Sequence, residues 1–181
     1  EALRTFGGRM SRAVPLDELL LQLVETLKKT MQLDTAEVWT GTDGQMTRTV
    51  SVPDRAPGHL RLAPEELPVV ARAHAQGNAW LQVWAPALLA GREDRIVRST
   101  SVAHLGELLG LIVVERRGDG AAFIEEEDRV LVDLARQVGL ALHNVRLDSA
   151  LQASLEELRR RNEELIASRA RVVAAADESR R

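Results

Sequence analysis

Glu107-Leu108-Leu109-Gly110-Leu111-Ile112-Val113-Val114-Glu115 places large aliphatic residues on both faces of an extended chain. A strand that apolar belongs at the centre of a sheet, covered above and below. Val97–His104 precedes it across Leu105-Gly106, and the two pair most simply as an antiparallel hairpin. Upstream, Ala36–Thr40, the Asp43-Gly44 turn signal and Met46–Val52 predict a second hairpin. Between the hairpins, residues 53–64 read as a loop broken by Pro57 and Gly58. Glu65–Gln76 reads as a short helix closed by Gly77. Ala79–Ala85 alternates as a strand, with Trp80 and Trp84 on one face and Leu81 and Val83 on the other. Ala87–Arg95 is an irregular connection.

Helices enclose this sheet. Pro15 suits a first helical turn, Asp17 and Glu18 complement its dipole, and Leu16, Leu19, Leu20, Leu23, Val24 and Leu27 form a stripe. Leu3, Phe6, Met10 and Val14 keep a helical spacing, which predicts a leading helix or linker over residues 1–14. After Gly118-Asp119-Gly120 and Phe123, a long helix begins near Glu125 with four acidic residues in its first turn. Leu131, Leu134, Val138, Leu142 and Val145 mark its buried side. No stop separates it from the tail, so a helix to about Ala175 spans about 75 Å and its second half must project. The expected architecture is α+β: a central antiparallel sheet flanked by helices, the end helices sharing one face and the mid-chain segment covering the other.

In the tail, Leu151, Leu155, Leu158, Asn162 and Leu165 recur at alternating steps of four and three, with charges between them. This is a coiled-coil seam, about two residues in seven wide, and it fits a second copy of the chain rather than a globular core. Asn162 on that seam fixes register and two-strandedness. Beyond it the heptad reaches Arg169, while Ile166, Ala170 and Val173 continue a neighbouring stripe, a slip that locally unwinds a coiled coil.

A net charge of −3 gives no clustered basic footprint for nucleic acid; Arg159–Arg161 lies between Glu pairs and reads as a solvated helix face. No apolar run is long enough to span a bilayer, so no membrane contact is expected of this segment. The start at Glu1 points to a piece of a longer protein and leaves room for a membrane anchor upstream; the segment itself is expected in the cytoplasm. The chain has no cysteine, which excludes disulfides, thiolate metal sites and thioether-linked chromophores.

Gly106–Val114, then Phe123, Glu127-Asp128-Arg129-Val130-Leu131, Leu134-Ala135-Arg136-Gln137 and Leu142–Leu147 resemble the closing motif of the GAF domain, a small-molecule-sensing fold. The likeness runs from about Leu16 to Leu147. Leu155–Arg159, Ser168–Ala175 and Asp177–Arg181 resemble the linker of actinobacterial sensor histidine kinases, in particular the nitrate-sensor-type subfamily; Glu37-Val38-Trp39 is similar to the GAF domains of those kinases. The resemblance implies residues 15–147 as a sensory domain and 148–181 as a signalling linker. It implies a homodimer, a kinase core following in the same chain, and a response regulator as phosphoryl acceptor. The phosphorylated histidine would lie beyond Arg181, so none of the four histidines here would be that residue. Two other readings stay open: a ligand-free dimerisation spacer, and a regulatory module of a phosphatase or cyclase effector.

Relatives that carry bilins attach them in many cases through Cys, and the free methionine-sulfoxide reductases of this fold use Cys, so the resemblance does not extend to either chemistry. Cyclic-nucleotide-binding members carry an Asn-Lys…Phe…Asp-Glu motif, of which only Phe123 and Glu127-Asp128 have counterparts. A haem-binding member needs one proximal His. His59, in the long loop, and His104, beside the hairpin turn, are the candidates, but a lone His is more often structural and haem is not expected. Trp39, Trp80, Trp84 and Ser101 are the remaining pocket candidates, since indole N–H groups orient ligands; core packing between sheet and helices is the commoner role of such tryptophans. No His pair has metal-ligand spacing, no metal is expected, and nothing resembles a nucleophile–base–acid arrangement.

Overall fold

The computed structural model describes residues 15–180, so the leading helix expected over residues 1–14 lies outside the described residues. Helix α1 (Leu16–Thr30) starts after Pro15, carries Asp17 and Glu18 in its first turn and Lys28 and Lys29 in its last, and buries Leu20, Val24 and Leu27. Strands β1 (Thr35–Thr42) and β2 (Gln45–Val52) form the first hairpin. Its two turn residues, Asp43 and Gly44, have φ of 53° and 80°, the backbone twist that matches paired strands.

Strand β3 (His59–Arg61), helices α2 (Leu67–Ala71) and α3 (Asn78–Trp84) and a 3-10 turn (Pro86–Leu89) follow. The second hairpin, β4 (Arg95–His104) and β5 (Glu107–Arg117), precedes helix α4 (Glu125–Ser179). The five strands are all antiparallel, in the order β3-β2-β1-β5-β4. Strand β5 is inside the sheet, as its two apolar faces require, and Leu108–Val114 are buried without a break.

Three local expectations are corrected. Residues 79–85, read as a strand, are helix α3: seven residues of alternating pattern fit i, i+4 as well as i, i+2, and only Leu81 is fully buried. The helix expected over 65–76 contracts to Leu67–Ala71. The loop over 53–64 contains the edge strand β3, whose three residues pair with the far end of β2.

Alternation assigns the faces. Ala36, Val38, Ile112, Val114, Arg98 and Thr100 share one face by register. There Arg116 bonds the Met31 carbonyl at the end of α1, and both Arg98 and Arg116 reach the start of α4. The opposite face carries Trp39, Leu111, Val113 and Val97. These pack with Leu60, Val70, Leu81 and Leu88 of the mid-chain segment into one apolar cluster. Gly139 lets α4 approach β4: a Cβ there would stand 2.7 Å from the Ala103 carbonyl oxygen.

The chain divides into two compact units, Glu1–Leu140 and Ala141–Arg181. In the first, α4 buries Leu131, Ala135 and Val138. In the second, Leu151, Leu155, Leu158 and Leu165 are each more than half exposed. Among the described residues no helix is long and apolar enough to cross a membrane.

Candidate functional site

Three residues of β1, Thr35, Glu37 and Trp39, point to the mid-chain face, and the register places Glu115 of β5 opposite Thr35. Glu37 and Glu115 are therefore diagonal neighbours on two inner strands, and both are buried, at 0% and 1% exposure. Two carboxylates so placed need cations. Arg92, in the loop after the 3-10 turn and itself only 3% exposed, lies between them. Its Nη2 donates to Glu37 Oε1, and its Nε is 3.2 Å from Glu115 Oε2.

Arginines from β2 and the following loop complete the network. Arg48 Nε is 3.0 Å from Glu37 Oε2, and its guanidinium lies 4.8 Å from the centre of the Trp39 ring. Arg55 Nη2 donates to Glu115 Oε1 at 2.9 Å. Two neutral donors add to these: Trp39 Nε1 to Glu37 Oε1 at 2.9 Å, and Thr35 Oγ1 to Glu115 Oε1 at 2.7 Å. The Arg48–Glu37 Oε2 and Arg92–Glu115 Oε2 approaches are not aligned for hydrogen bonding, so they are ionic contacts. Arg92 Nη1 has no partner among the described residues, and neither does the buried Ser99 hydroxyl in the same cross-strand row as Glu37. Three guanidiniums face two carboxylates, leaving one excess positive charge.

Beside this network a cleft of about 510 Å³ opens between α3 and the 3-10 turn, with Arg92 in its wall. Asn78 holds the base of α3 against β4: its Nδ2 donates to the Arg95 carbonyl and its Oδ1 accepts from the Val97 N–H.

The pocket candidates read from the sequence are dispersed. Trp39 lies in the charged network. Trp80 and Trp84, 6.4 Å apart between ring centres, pack against the apolar cluster on the same face. His59 is exposed on the edge strand β3. His104 closes β4 next to the Leu105-Gly106 turn. Ser101 donates to the Ala73 carbonyl and ties β4 to the segment after α2. Glu37, Arg92 and Glu115 were not among the candidates. The signal was a Glu within Ala36-Glu37-Val38-Trp39 and another ending the apolar run of β5; a carboxylate on a covered face demands a cation, but the pattern did not say which of many arginines supplies it.

On the opposite face a second set of pairs anchors α4. Arg116 donates to Glu127 and, at 2.6 Å, to the Met31 carbonyl, and it lies 4.4 Å from the Phe123 ring centre. Arg98 Nε donates to Asp128 at 3.1 Å. The Arg116 hydrogen bond holds the Glu127 carboxyl below its ordinary value; burial opposes this, and the Ile124 N–H supports it. No cluster of three metal-ligating side chains occurs among the described residues.

Solved structures share this architecture. One is the GAF domain/HD domain protein from Geobacter sulfurreducens, 17% identical over 76% of this chain and 97% of that one, at TM-score 0.59. Another is the GAF domain of a phosphoenolpyruvate-protein phosphotransferase from Coxiella burnetii, 21% identical over 82% and 94%, at TM-score 0.60. A third is the blue-light absorbing form of the PixJ GAF domain from Thermosynechococcus elongatus, 18% identical over 80% and 98%, at TM-score 0.59. The fold is thus GAF-like. No family model and no curated protein matches the chain by sequence.

Proposed function

We propose that this chain is the sensory GAF module of a two-component histidine kinase, working as a cytoplasmic homodimer. Residues 148–181 serve as its signalling linker to a kinase core and, through that, to a response regulator. One observation carries the reading: helix α4 contributes Leu131, Ala135 and Val138 to the domain core and, further along, bears the exposed seam Leu151, Leu155, Leu158, Asn162 and Leu165. The mechanism is a shift between two packings of the paired helices, biased by whatever the domain binds. The segment itself carries no assembled catalytic constellation among the described residues and acts on the downstream core alone.

The test is the oligomeric state. Light scattering should give a dimer for the wild-type segment and a monomer for the pair Leu155→Asp and Leu158→Asp. In the full-length kinase the same pair should uncouple autophosphorylation from signal. A wild-type monomer at high micromolar concentration would overturn the relay. A ligand-free spacer is the second reading; it fits an apolar, filled interior better than the charged face formed by Glu37, Arg92 and Glu115. A phosphatase or cyclase effector would show in the residues following Arg181.

A further inference from the structure

We propose that the cleft between α3 and the 3-10 turn binds a small oxyanion, a carboxylate or phosphate joined to a short apolar body, on Arg92. This deepens the sensory reading, which it presupposes, by giving the module an input of stated chemistry.

Two independent observations point to an anion. First, Arg92 is buried, yet only two of its three guanidinium nitrogens face carboxylates, and Nη1 has no hydrogen-bond partner among the described residues. A buried guanidinium N–H left without an acceptor is costly even where the charge itself is paired, and an oxyanion is its best-matched acceptor. Second, the network is unbalanced by one positive charge, so an anion completes it without displacing Glu37 or Glu115. The rest of the wall defines the body of the ligand. Ala79, Pro86 and Leu89 are apolar, and Gln82 offers one polar group. Asn78, although it lines the cleft, spends its side chain on β4 and is not a free donor. Glu93 also lines the cleft; its carboxylate accepts from the Gly91 N–H, and its charge disfavours large polyanions.

Such a ligand would also alter the grip on the sheet. Arg92 is a buried tie between the mid-chain loop and strands β1 and β5, so charge arriving at its guanidinium changes how firmly it holds Glu37 and Glu115.

Binding is read by titrating the isotopically labelled full segment, in phosphate-free buffer at constant ionic strength, with hexanoate, hexyl phosphate and neutral hexanamide. The amides of Gln82, Leu89 and Arg92 should shift saturably with the two anions, about tenfold more tightly than with hexanamide, the factor that one charge-assisted hydrogen bond supports. Tighter hexanoate identifies an organic acid, and tighter hexyl phosphate a phosphate ester; both support the site. Ala79→Trp fills the cleft from an exposed position that is not itself part of the charged network, and it should abolish the shifts while leaving the fold intact. Equal binding of hexanamide, unsaturable shifts, or shifts unchanged in Ala79→Trp would each overturn the proposal. Light scattering on the same samples reads the dimer separately, so loss of the anion site and loss of the relay are distinct results.

Discussion

Arg92 shows how a single side chain organises a face of the sheet. It lies between two buried carboxylates and shares their compensation with Arg48 and Arg55. Replacing it with Met leaves Glu37 to Arg48 and Glu115 to Arg55, both partly exposed, and removing the buried partner of such pairs costs about 3–5 kcal/mol. Chemical denaturation should show that loss. The triple variant Arg92→Met, Glu37→Gln, Glu115→Gln should recover a large part of it, because no charge remains buried. A triple variant as unstable as the single one would show that the network matters by shape rather than charge. Leu105 is the opposite case. It has φ of 51° and is 88% exposed, so its side chain gains nothing while its backbone is strained. Leu105→Asn, which the Leu105-Gly106 turn accommodates better, should stabilise by about 1 kcal/mol, visible as a raised melting temperature.

Elements differ in how openly the sequence declared them. Strand β5 was legible because an unbroken apolar run bounded by Glu107 and Glu115 has one physical solution. Helix α3 was not: Trp80 and Trp84 share a face under either period, and Val83, at 69% exposure, is not the inward residue a strand would have made it. The network was illegible in a different way, since Glu37 and Arg92 are 55 positions apart. The start of α4 carries two tests. Glu127 has a lowered pKa in the folded chain, so its contribution to stability is full above the ordinary carboxylate value of 4.5 and is lost as the pH falls through the lowered value. Glu127→Gln should therefore flatten the acid limb of a stability–pH profile, with a loss that is full at neutral pH and shrinks as the pH falls through the lowered value. Gly139→Ala sets two effects against each other. Helix propensity favours Ala by about 1 kcal/mol. The new Cβ, however, meets a backbone oxygen at 2.7 Å on a paired strand that cannot retreat, and overpacking of this kind costs about 1–3 kcal/mol. The clash should win, with a net loss of about 1–2 kcal/mol in thermal or urea unfolding.

At the scale of the whole molecule the chain joins a GAF-like unit to a helical one whose residues from Leu147 onward are almost all exposed, and the reading as a relay rests on what covers the second. Intrahelical pairs such as Arg160–Glu157 and Arg159–Glu163 spend the charges within one helix, leaving the leucine seam as its outward feature. If a second copy covers it, Asn162→Leu should raise the melting temperature of the tail and broaden sedimentation beyond the dimer, because the polar pair that enforces two strands is gone. An unchanged melting temperature would place Asn162 off the seam.

Strand β5 raises a problem that its own apolar run cannot solve. A strand apolar on both faces can slide by one residue without exposing anything, so hydrophobicity does not choose its alignment. Glu115 and Arg116 do. Consecutive and opposite in sign, they point through opposite faces, the first to Arg92 and Arg55, the second to Glu127. A slip by one position sets like charge against like charge whichever way it runs, Arg116 against Arg92 and Arg55 in one direction and Glu115 against Glu127 in the other. The pair acts as a key cut on two edges, and the sheet turns only one way in its lock.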